Sequence, residues 1–165
     1  MAKESETVLV AELAAFTFRE SWSEEGNKTD IDEYINEHFT VEKVLNELTD
    51  PSIIYLVAFN RYQPIGYVKL QRNLKPDNYD LEKPFAIDRV YVHKPFQGNK
   101  VGSQLLELAI DIAVNESYKT VWLGVWNENL AAIRLYERFG FHRFGTYQFI
   151  MGSIVSDDYL MMRKI

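Results

Sequence analysis

Residues 121–125, VWLGV, hold no charged or hydroxyl-bearing side chain, and this short run decides the kind of fold the chain can adopt. A strand of that composition is covered on both faces, so it belongs in the middle of a sheet with helices above and below. The chain supplies the cover. Over 6–21, Leu9, Leu13 and Phe16 recur at helical spacing, with Val10, Ala14 and Phe18 beside them. Thr29-x-x-Asp32 reads as a capping box opening a second helix to about 39, with Ile31, Tyr34, Ile35 and Phe39 as its apolar stripe. Val41, Val44, Leu45 and Leu48 extend the helical pattern until Pro51 stops it.

The period then changes. Residues 52–59 and 65–70 read as strands joined by a turn, 73–84 as a polar loop with two prolines, and 86–92 as a third strand. A helix is expected over 102–116, the central strand over 121–125, and a helix over 130–139 between Asn129 as its cap and Gly140 as its stop. Two last strands fall near 142–151 and 157–163. The expectation is an α/β (α+β) fold: a mixed sheet of about six strands with helices on both faces. With 165 residues and no linker or repeat, the chain reads as one domain over 1–165.

Composition excludes whole classes of function. There is no cysteine, hence no disulfide, no thiolate nucleophile and no cysteine zinc site. His38, His93 and His142 are scattered, so no metal site is expected. No apolar run reaches the roughly 18 residues of a membrane span. Without a signal-peptide pattern, the expected location is the cytoplasm. A formal net charge of −6 argues against a nucleic-acid partner, whose phosphates call for a basic surface. The charge is uneven. Residues 1–50 hold 13 acidic and four basic side chains, and the remainder has a net charge of +3. Either the N-terminal helices carry solvated acidic faces, or this end receives a cation.

Gln97-Gly98-Asn99-Lys100-Val101-Gly102-Ser103 links the third strand to the helix that follows. Backbone N–H groups at such a helix start can cradle phosphate oxygens, and Lys100 adds a positive charge. The loop is neither a Walker A loop nor GxGxxG, and by spacing alone it could be a plain glycine-bearing helix start. Downstream, Asn129-x-x-Ala132-Ile133-x-x-Tyr136-x-x-x-Gly140-Phe141 puts Tyr136 about two turns past the cap, where a tyrosine is either a core aromatic or a proton donor.

Together, in this order and spacing, the two segments resemble the GNAT superfamily of N-acetyltransferases, over 52–165 well and over the N-terminal helices more loosely. The loop resembles that superfamily's pyrophosphate motif, (Arg/Gln)-x-x-Gly-x-(Gly/Ala), except that Lys100 stands at the first glycine. A lysine forced into a left-handed conformation there costs energy. WLGVW, the Asn-rich helix start and a late FIMG resemble the bacterial PaiA group of spermidine/spermine N-acetyltransferases. The superfamily's first strand is short or absent, which leaves a sheet edge that a homodimer would cover.

The resemblance implies a GNAT-like, mostly antiparallel sheet and direct acetyl transfer from acetyl-CoA, as cosubstrate, to a primary amine. Val90, Tyr91 and Val92 would line the pantetheine arm. Gln97, Gly98, Asn99, Lys100, Val101, Gly102 and Ser103 would hold the pyrophosphate, and Asn129 would bond the cofactor. Tyr136 would protonate the departing thiolate. An amine of pKa near 10 costs roughly 4 kcal/mol to deprotonate at pH 7, so a base helps. Asp88, placed by alternation on the face of Val90 and Val92, is either that base or half of an ion pair. Glu24, Glu25, Asp30 and Asp32 either hold a cationic acceptor, with a polyamine first, or are solvated acids. The alternatives are acetylation of a protein N-terminus or lysine, and a noncatalytic acyl-CoA-binding module.

Overall fold

A computed structural model describes all residues from Met1 to Ile165. The element order is α1 (Thr7–Trp22), α2 (Lys28–His38), α3 (Val41–Thr49), β1 (Ile53–Asn60), β2 (Gln63–Arg72), β3 (Pro84–Val92), α4 (Val101–Asn115), β4 (Thr120–Val125), α5 (Leu130–Arg138), β5 (His142–Met151) and β6 (Ile154–Lys164). The six strands form one sheet in the order β1-β2-β3-β4-β6-β5. Every neighbouring pair is antiparallel except β3 and β4. The parallel pair follows from the crossover through α4, which returns the chain in the same direction.

Each face of the sheet has its own core. On one side Leu105, Leu106, Ala109 and Ala113 of α4 pack with Tyr136 of α5 against Val68, Leu70, Phe85, Ile87, Val121 and Leu123. On the other, Val10, Ala14 and Phe18 of α1, Ile31 and Ile35 of α2 and Val44 of α3 pack against Tyr55, Tyr67 and Met151. A fully buried side chain of this size stabilises the fold by about 1.5–3 kcal/mol. The central strand is covered on both sides as its composition requires, with Val121 and Leu123 buried and Trp122 donating to the Leu74 carbonyl at 2.8 Å across the other face.

Two local expectations are corrected. Helix α2 is capped by Asn27, whose side chain accepts from the Asp30 amide at 2.9 Å, rather than by Thr29. Asn27 precedes Lys28 and keeps the same four-residue spacing to an acid, two residues earlier. Asp88 does not share a face with Val90 and Val92. The register slips so that Lys69 faces Arg89 while Leu70 faces Ile87, leaving Asp88 as the extra residue of a β-bulge. The bulge resets the alternation, so Asp88 lies with Lys69 on the α1–α3 face. At the β1 edge, the first strand of the superfamily shrinks to one hydrogen bond, from the Ala2 amide to the Tyr55 carbonyl at 2.8 Å.

Candidate active site

The bulge opens the sheet. The parallel ladder between β3 and β4 runs only from Pro84↔Thr120 to Ile87↔Leu123, although both strands continue. Beyond that point the side of β3 turned toward β4 carries backbone groups with no partner on β4. Asp88 and Gly124, the residues just past the last pair, are exposed in the middle of a six-stranded sheet. A cleft therefore enters the molecule between the C-terminal ends of β3 and β4.

One wall of the cleft is the loop into α4. Gly98 and Lys100 both adopt positive φ, +78° and +65°. This turns the chain sharply into α4, whose first turn carries no acid that would compete with an anion for the helix N-terminus. The Gln97 side chain donates to the Val92 carbonyl at 2.9 Å, and the Asn99 side chain donates to the Gln97 carbonyl. The first bond braces the loop against the end of β3, and the second lies within the loop. Gly102 has only ordinary contacts, with Leu135 and Val92 at 3.8 Å from where a Cβ would lie, so room remains beside Val101 and Ser103.

Helix α5 supplies the phenol. The Asn129 side chain caps it, accepting from the Ala132 amide at 3.1 Å. Its other end is a Schellman motif: the Phe141 amide donates to the Tyr136 carbonyl and the Gly140 amide to the Glu137 carbonyl, with Gly140 at φ +81°. The hydrophobic contact that accompanies this motif is Tyr136 against Phe141, ring centroids 6.1 Å apart. Tyr136 is 8% exposed, and burial pushes its phenol up to about 12. It stays protonated at neutral pH.

Asp88 is tied down. Its carboxylate lies 3.0 Å from the Lys69 ammonium and 4.0 Å from Arg89. Lys69, 5% exposed, also pairs with Glu47 of α3 at 2.7 Å. The ion-pair alternative is thus what the geometry contains.

The acidic residues named for a cationic acceptor have different fates. Asp30 accepts from the Ser153 amide at 2.9 Å and its hydroxyl at 2.6 Å, bonds that hold its carboxyl below the usual range and pin α2 to the β5–β6 turn. Asp32 pairs with Arg19 at 2.5 Å, and Glu24 reaches Lys94 at 3.5 Å. Glu25 stays exposed. His93, which shows no carboxylate nearby in sequence, is held by Glu20 at 2.8 Å from α1. Trp126 stands against Trp22, centroids 5.5 Å apart.

Sequence reasoning missed Asp158 and Tyr147 on the α1–α3 face, and placed Tyr34 there only as part of the apolar stripe of α2. Asp158 is only 4% exposed. Its signal lay in the pattern Ile154, Ser156, Asp158, Leu160, Met162, where one inward-facing series carries a carboxylate.

A profile of the acetyltransferase (GNAT) family matches residues 8–141. An uncharacterized N-acetyltransferase of Lactobacillus delbrueckii subsp. lactis is 27% identical over 153 residues, 90% of this chain and 86% of that one. A spermine/spermidine N(1)-acetyltransferase of Bacillus subtilis is 34% identical over 64 residues, 38% of this chain and 42% of its own. Among solved structures, the PaiA N-acetyltransferase of Thermoplasma acidophilum in complex with coenzyme A has the same fold. Its TM-score is 0.80 at 22% identity, covering 99% of this chain and 96% of that one. The fold, the split between β3 and β4 and the family match agree: the chain belongs to the acetyltransferase (GNAT) family and is an acetyl-CoA-dependent N-acetyltransferase.

Proposed function

We propose that the chain acetylates a primary amine of a small cationic acceptor, with a polyamine first, and that Tyr136 is the general acid. The observation that carries this reading is the mid-sheet cleft beyond Ile87↔Leu123, with the α4 N-terminus on one side and the buried Tyr136 phenol on α5. The backbone of Val90 to Val92, which has no partner on β4 and of which only the Val92 carbonyl is taken by Gln97, suits the amides of a pantetheine arm. The amides of Val101, Gly102 and Ser103 suit its pyrophosphate. Asn129, whose carbonyl oxygen caps α5, keeps its amide group for the cofactor. The likeness to a spermine/spermidine N(1)-acetyltransferase supports a polyamine, over the 64 residues that it spans.

The amine's lone pair attacks the acetyl carbonyl carbon, the C–S bond breaks, and the sulfur takes the proton of Tyr136. A thiol of ordinary pKa about 8.5 holds that proton less tightly than the phenol, and the same dry surroundings that raise the phenol also raise the thiol. Asp88, already compensated by Lys69, fixes the shape of the cleft floor in this reading.

The test is thiol release from acetyl-CoA with spermidine, spermine and lysine peptides, against a control without acceptor. Release that rises with polyamines alone supports the reading, whereas release with peptides alone keeps the chemistry and discards the acceptor. Tyr136→Phe should lower kcat about 100-fold while the Kd for CoA stays within about twofold, because Phe preserves the contact with Phe141. Full kcat in that variant rejects Tyr136 as the acid.

A further inference from the structure

We propose that Asp158 is the carboxylate that receives the acceptor's ammonium group and takes its proton. This rests on the amine-acetylating reading above. Asp158 lies on β6, directly opposite Tyr147 of β5. The Tyr147 ring in turn lies on Gly124, where a Cβ would come within 2.8 Å of the phenol oxygen. Gly124 is the first β4 residue past the end of the parallel ladder. The Asp158–Tyr147 pair thus stands at the mouth of the cleft, on the face opposite α4.

The carboxylate has no cation. Its partners are the Ser156 hydroxyl at 2.6 Å and the Tyr147 hydroxyl at 3.4 Å, both neutral donors. Asp88, by contrast, is matched by Lys69. A buried anion held only by hydroxyls costs stability, and a positively charged ligand removes that cost. The neighbouring wall suits a cation with an aliphatic chain. Phe149 stacks on Trp22 with centroids 5.4 Å apart, Trp22 meets Trp126 at 5.5 Å, and Tyr34 meets Phe149 at 5.8 Å. Aromatic faces attract ammonium groups and pack methylene chains.

The other titratable groups around Asp158 are Tyr147 on β5 and Asp157 beside it on β6. Tyr34 of α2 and Tyr91 of β3 act on Tyr147. Asp157 is exposed on the opposite face of β6, away from Tyr147, and the tyrosines are neutral phenols. Burial raises the Asp158 carboxyl above the usual range, and the Ser156 and Tyr147 hydroxyls pull it partly back.

The proton count closes. The ammonium gives one proton to Asp158, and its freed lone pair forms the C–N bond. The C–S bond breaks and the sulfur takes the proton of Tyr136. The acetylated nitrogen returns its extra proton to the tyrosinate, and Asp158 releases its own to solvent.

The test compares Asp158→Asn with wild type, using spermidine from pH 4 to 9. With the carboxylate present, the reacting pair is the protonated amine and ionised Asp158, so kcat/KM is nearly flat between their pKa values. Without it, only free amine reacts, and kcat/KM should climb about tenfold per pH unit and lie about 100-fold below wild type near pH 7. A wild-type profile in Asp158→Asn overturns the proposal. Tyr147→Phe removes a donor that lowers the Asp158 pKa, so the acid limb should move to higher pH; an unmoved limb also counts against it.

A readout without turnover separates this proposal from the reading beneath it. Spermidine should raise the Tm of wild type and leave that of Asp158→Asn unchanged, even if no acetyl transfer occurs. An equal rise in both overturns the ammonium site. Asp158→Asn alone should raise Tm at pH 7 and converge with wild type below about pH 4. A raised folded pKa means the stability is present with the acid neutral and is lost as pH climbs through the window above the unfolded value.

Discussion

Lys100 carries a cost that its neighbours do not. At φ +65° an L side chain loses about 1–2 kcal/mol, and no side-chain bond compensates at this helix start. Lys100→Gly should therefore raise stability by up to about 1 kcal/mol after glycine's own entropy is counted, measured by urea unfolding without CoA. A loss of stability instead would mean that the left-handed turn is not populated. The strain was legible in the sequence, because the motif offers a glycine there and the chain offers lysine. The state of Asp88 was half legible. Its place in an apolar strand announced a need for a partner, but Lys69 comes from another strand and the bulge lies in the register. Asp158 was legible only through the alternation with Leu160 and Met162, and Asp157-Asp158 at the start of the expected strand 157–163 hid it as solvated acid. Its burial depends on Tyr147 arriving from β5.

At the scale of elements, α5 is where local signals did most. Asn129 and Gly140 bracket the helix as their residue types suggest, and the stop also sets the phenol through the Tyr136–Phe141 contact. Gly140→Ala should cost about 1 kcal/mol, because φ +81° disfavours a Cβ. It should also lower kcat more than it raises KM, since the change moves Tyr136 relative to the reacting sulfur. Parallel urea unfolding and steady-state kinetics measure the two effects. A stability loss with unchanged kcat would detach the helix stop from the chemistry. The start of α2 shows the opposite case. Both Asn27 and Thr29 have a capping side chain and an acid three residues on, so local spacing could not choose between them. The Asp30 bonds to Ser153, a residue remote in sequence, go with the Asn27 start.

For the whole molecule, the decisive feature is that one sheet serves two cores. The layers and the central place of β4 followed from the apolar VWLGV run and the change of period at residue 52; the strand order came only with the structure. The length of the parallel ladder did not, because it depends on how far two strands with no local connection stay side by side. Sharing the sheet couples the faces. Leu106 of α4 is fully buried, and Leu106→Ala should destabilise the chain by about 2–5 kcal/mol. Trp22 and Trp126 lie on the other face, yet their fluorescence should report the same lowered urea midpoint as far-ultraviolet circular dichroism. Separate midpoints would show that the cores unfold independently.

The short β3–β4 ladder also has a kinetic meaning. Strands β1, β2 and β3 form one antiparallel set, and β4, β6 and β5 form another; the one ladder between them pairs residues 84–87 with 120–123. Each set can assemble from contacts within its own stretch of chain, whereas the join must wait for the crossover to close. The cleft sits on that join. A chain with either half complete has no place for the two substrates to meet, so activity regained on refolding times the docking of the halves and not the formation of either one.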